Sequence, residues 1–71
     1  MITDTDLLNW FTYHSPTGNQ PIQYAKIREA GYNLANVILN ETPPSADQTA
    51  AIRKVREAVM TANAAIACEE G

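Results

Sequence analysis

Four rings, Trp10, Phe11, Tyr13 and His14, stand within five positions near the start of the chain, and two cations, Lys26 and Arg28, follow them. A ring at a loop junction can stack on a nucleobase, at roughly 1–3 kcal/mol per base. A cation beside that ring can hold a phosphate. The combination suits a phosphorylated, base-bearing small molecule. Each residue also has a plainer reading. Trp10 and Phe11 suit a plug for the end of a helical hairpin, and isolated cations usually mark a solvated face. Tyr13 and His14 immediately precede Ser15-Pro16, at a helix–loop junction where polar rings often stay accessible. Tyr13 and His14 are therefore candidate stacking residues, and Lys26 and Arg28 candidate phosphate partners. Arg53, Lys54 and Arg56, with Glu57 among them, read as a solvated stripe.

Bond-making chemistry has little to stand on. The chain has no Gly-rich phosphate loop, no His-Glu-x-x-His and no cysteine cluster. One cysteine, Cys68, excludes a disulfide within the chain, and one histidine, His14, leaves no zinc ligand set. No catalytic residue, metal or cofactor is expected. Five Lys and Arg against eight Asp and Glu make the net charge −3. Binders of duplex nucleic acid usually carry a basic surplus, so no nucleic-acid polymer is expected as a partner. All five cations nevertheless fall between residues 26 and 56, which leaves room for a small anion site. No run approaches the roughly 18 apolar residues of a membrane span, and the N-terminus lacks a basic leader. A soluble, intracellular protein is expected.

The elements that must position these groups are helices, and the spacing predicts an all-α fold in one domain, 1–71. A short helix is expected over 3–12, capped by Thr3 or Asp4. Pro16, Gly18 and Asn19 break it, and Pro21 suits the first turn of the next helix, over 21–40. There Tyr24, Ile27, Gly31, Leu34 and Ile38 step by three and four, one stripe of a heptad. Gly31 in mid-helix implies close approach of another backbone. Pro43-Pro44 stop that helix. Ser45 and Gln48 have the spacing of a capping box for a third helix over 45–69. Ile52, Val55, Val59, Ala62 and Ile66 repeat the stripe, and Asn63 beside it is expected to bond across a helix interface and fix register. The architecture expected is a short N-terminal helix plus a long antiparallel two-helix hairpin. At this length a lone chain has a marginal core, and the unused apolar faces predict a homo-oligomer.

Five ordered segments carry a family resemblance: Phe11-Thr12-Tyr13-His14-Ser15-Pro16-Thr17-Gly18-Asn19-Gln20, Tyr24-Ala25-Lys26-Ile27-Arg28, Leu34-Ala35, Pro44-Ser45-Ala46-Asp47, and residues 58–67 from Ala58 to Ala67. Together they resemble the hairpin domain shared by phage anti-CBASS and anti-Thoeris sponge proteins, and most of all the small anti-CBASS type. The resemblance implies a non-catalytic protein of the host bacterial cytoplasm that assembles into homohexamers and sequesters cyclic oligonucleotide second messengers. Cyclic dinucleotides such as cyclic GMP-AMP would lie between paired protomers, and cyclic trinucleotides, in some members, where three meet. Carried over by position, it places base stacking on Tyr13 and phosphate contact on Arg28 or Lys26. Members often carry a basic residue after the Ile-Ala of the last helix. Cys68, Glu69 and Glu70 stand there in this chain, which weakens an anion pocket at that point. The alternative from residues alone is a structural module for self-assembly or for docking on a host protein.

Overall fold

The computed structural model describes residues 1–69; Gly71, and Glu70 among the acidic residues counted above, lie outside the described residues. Three helices follow one another: α1 (Asp4–Trp10), α2 (Gln20–Glu41) and α3 (Ala46–Ala67). α2 and α3 form the hairpin, and each of their 22 residues advances the helix by about 1.5 Å, so both run to about 33 Å. The chain is therefore long and thin, 43 × 28 × 16 Å. The all-helical class and the order of elements are those expected from the spacing.

Local chemistry explains the ends. Thr3 caps α1 with a reciprocal box: its Oγ1 accepts from Asp6 N–H at 3.1 Å, and Asp6 Oδ2 accepts from Thr3 N–H at 2.9 Å. α1 stops at Trp10, two residues earlier than expected: Phe11 leaves the helical path, at φ −104° and ψ 12°. Gly18 takes φ +53°, the left-handed conformation that glycine adopts without steric cost, and turns the chain into α2. Pro21 sits in the first turn, where a missing N–H is harmless. Ser45 Oγ accepts from Gln48 N–H at 3.1 Å and starts α3.

The expected box at Ser45 is one-sided. Gln48 does not return a bond to Ser45; its Nε2 crosses the turn and donates to Leu39 O at 3.2 Å and Thr42 O at 3.0 Å. Carbonyls at the end of a helix lack partners within it, so one glutamine ties the end of α2 to the start of α3. α3 ends at Ala67 rather than at 69, where Cys68 leaves the helical path and its N–H bonds back to Ala64 O.

The hairpin seam carries the α3 stripe as expected: Ile52, Val55, Val59, Ala62 and Ile66 are all half-buried. From α2 come Tyr24, Ile27, Gly31 and Ile38, while Leu34 stays more than half exposed at the rim. Gly31 does mark a close approach, but of a side chain and not a backbone. A Cβ built on Gly31 would fall on Val59 Cγ2.

Among the described residues no apolar side chain is fully buried. A compact monomer of this mass would expose about 4,400 Å²; the chain exposes 5785 Å². Its radius of gyration is 15.1 Å, against about 11 Å for a compact chain of this length. The expected plug is partial: Trp10 is 51% exposed and lines a groove with Ala64, Ala65 and Cys68 at the end of α3, while Phe11 is 86% exposed. No helix among the described residues is long and apolar enough to cross a membrane.

Candidate nucleotide-binding surface

Tyr13 lies in the loop between α1 and α2 with its ring 83% exposed. His14, beside it, is half-buried, and its Nε2 sits 2.7 Å from Asn9 O. A carbonyl only accepts, so Nε2 carries the hydrogen and donates. That leaves Nδ1 as the ring nitrogen free to face a ligand.

Both candidate cations are exposed on α2. Two residues apart on a helix is about 200° around its axis, so Lys26 and Arg28 point away from each other. Arg28 shares its row with Tyr24 and Tyr32, four residues before and after it. Tyr24 faces the seam, and Tyr32 lines a groove on one side of it. Lys26 shares its row with Ile22, which is exposed. The two cations thus serve different surfaces, and a ligand held by one copy of the chain would meet only one of them.

The loop bearing Tyr13 is fastened by polar ties. At one end Asn9 Nδ2 donates to Cys68 O at 3.3 Å. At the other, Gln20 Oε1 accepts from Thr17 N–H at 3.0 Å, and Gln20 Nε2 donates to Ile66 O at 3.1 Å and to Glu69 Oε1 at 2.9 Å. Gln20 is the one buried residue among those described, at 7% exposure. The sequence reading missed it, although a signal was there. Gln20 lies four residues before Tyr24, on the same stripe that continues through Ile27 and Gly31.

Shallow grooves flank the seam. On one side Gly31, Ala35, Val59 and Met60 floor a cleft of about 240 Å³, with Tyr32 and Arg56 among its lining. On the other, Ile27, Leu34, Ala58 and Ala62 line a second. Asn63 adjoins this seam, and its Oδ1 is buried without a partner among the described residues; a single copy therefore does not supply that oxygen with the bond expected of Asn63 across a helix interface. Among the described residues no group of three or more His, Cys, Asp or Glu is placed to hold a metal ion.

Exposed rings, scattered cations and apolar grooves lie along a thin hairpin of the all-helical class. Its matched family agrees with that class. A family model described as "Acb2/Tad1, hairpin domain" matches residues 3–67, and the chain belongs to that family. The family is one of anti-defence proteins that bind cyclic oligonucleotides as sponges rather than acting as enzymes. No curated protein and no solved structure matches the chain.

Proposed function

We propose that this protein is a phage anti-CBASS sponge that binds cyclic dinucleotides such as cyclic GMP-AMP, holds them intact, and so starves CBASS effectors in the host bacterial cytoplasm. The observation that carries the reading is the family match across residues 3–67, nearly the whole chain. Two structural features support it. Tyr13 offers an open ring for base stacking, and Arg28 and Lys26 offer separate cations for phosphate. Because those cations diverge, a ligand that uses both must lie between copies of the chain. A homo-oligomer, hexameric as in the family, supplies such seams and would cover the surplus apolar surface.

Net charge fits this role. A polyanion meets a molecule of charge −3, and long-range repulsion discourages it. A cyclic dinucleotide has only two phosphate charges, so a few cations in a partly desolvated seam are enough. Cyclic trinucleotides form the second ligand class to test, with weaker binding expected: the resemblance implies a basic residue after the Ile-Ala of the last helix, and this chain has Cys68 there, followed by Glu69.

Calorimetric titration against cyclic di- and trinucleotides tests the reading. Saturable uptake of cyclic GMP-AMP is expected, followed by recovery of unaltered ligand after heat denaturation. A chemically changed ligand would show an enzyme instead. The exposed apolar faces also favour the runner-up, a module for self-assembly or docking on a host protein. That reading predicts no thermal shift with any nucleotide.

A further inference from the structure

We infer that Gln20 is the positioning residue of this site: its amide clasps the Tyr13 loop to the end of α3 and so sets where the ring is presented. The inference rests on the binding role proposed above for Tyr13. Hydrophobic docking of α1 is only partial: Trp10, 51% exposed, lines a shallow groove with Thr61, Ala64, Ala65 and Cys68, and no apolar side chain among the described residues is fully buried. Hydrogen bonds supply the directional ties that fix the loop. Gln20 makes three bonds from one buried side chain, to Thr17 in the loop and to Ile66 and Glu69 at the end of α3. Its own N–H also donates to Thr17 O at 2.9 Å.

The acceptors explain why this works. Carbonyls at the end of a helix lack the usual partner within it: Ile66 O accepts a 3.3 Å bond from Glu69 N–H, and Cys68 O lies at the cap just beyond α3, so both can take side-chain amides. Gln20 takes the first and Asn9 the second. These two residues bracket the loop, and His14 adds a bond from inside it to Asn9 O. Tyr13 is therefore carried on a segment tied at both ends to the same helix terminus. A ring held in place before binding spares the ordering cost that a loose loop would bear.

Three variants and two readouts test this. Gln20→Ala removes every side-chain bond of the clasp. It is expected to weaken cyclic GMP-AMP binding by about tenfold or more, with helical content and assembly mass unchanged. Hydrogen exchange at Thr17 N–H should speed by about tenfold, while mid-helix amides of α2 and α3 keep their rates. Gln20→Glu keeps the acceptor for Thr17 but cannot donate to Ile66 O, and it sets a carboxylate against Glu69. Adding Glu69→Gln restores a donor–acceptor pair and is expected to recover part of the lost affinity. If Gln20→Ala loses its helical signal, the Glu and swap variants decide, and no recovery in the swap overturns the inference. Wild-type binding with Gln20→Ala within about twofold of it overturns the clasp and leaves the function standing. If the wild type takes up no cyclic GMP-AMP, the functional reading fails, and the exchange rate of Thr17 still decides the clasp: an unchanged rate overturns it.

Discussion

Tyr13 combines an 83% exposed side chain with a flat ring, and that is the physical basis for proposing it as the stacking residue. Losing one stacked ring costs roughly 1–3 kcal/mol, so Tyr13→Ala should weaken cyclic GMP-AMP about 5- to 150-fold by calorimetry. Tyr13→Phe keeps the ring and should stay within a few fold of wild type. The far-ultraviolet spectrum should not change in either variant, because the side chain is 83% exposed. Equal affinity of Tyr13→Ala and wild type would remove the residue from the site. How much of this was legible in the sequence depended on the range of the interaction involved. A ring before Ser15-Pro16 reads as accessible from local chemistry alone. Gln20 was hidden because its partners, Ile66 and Glu69, lie 46 and 49 residues away. Phe11 misled for the opposite reason: apolar character promises burial, but a single copy of the chain leaves it 86% exposed.

Between elements, the hairpin depends on one glutamine at the turn and one glycine at the seam. Gln48→Ala removes two bonds to the end of α2. It should cost about 1 kcal/mol, read as a lower urea midpoint and faster exchange at the last turn of α2. Ser45→Ala should cost a similar amount, about 1 kcal/mol, by uncapping α3. At Gly31 two effects oppose each other. Alanine favours the helix by about 1 kcal/mol, but its Cβ would meet Val59 Cγ2. Valine is stiff at χ1, and such overpacking costs about 1–3 kcal/mol. The clash wins, and Gly31→Ala should lower Tm by several degrees at fixed protein concentration. Adding Val59→Ala should relieve the clash, so the double variant is more stable than the two single losses added together. A Tm for Gly31→Ala above wild type would mean the seam is looser than the geometry states. Heptad spacing made the α3 stripe readable, since all five of its residues face the seam. It could not show Gln48 crossing the turn, because a capping box and a cross-turn tie share the same Ser-x-x-Gln pattern.

At the scale of the whole molecule, surface area decides. The chain exposes 5785 Å², roughly 1,400 Å² beyond a compact monomer of its mass. A standard interface covers about 800 Å² on each partner, so the surplus suits more than one contact per copy. Exposed Leu8, Trp10, Phe11, Leu34 and Met60 are the residues such contacts would cover, and Asn63 Oδ1 has no donor among the described residues. Divergent cations on α2 lead to the same place, since only a seam between copies can bring Lys26 and Arg28 to one ligand. Native mass spectrometry of the wild type with cyclic GMP-AMP puts assembly and capture in a single spectrum. The expected result is a particle near six times the 7.8 kDa chain mass, carrying whole messenger molecules. A bare 7.8 kDa ion with no added mass at saturating cyclic GMP-AMP would contradict it.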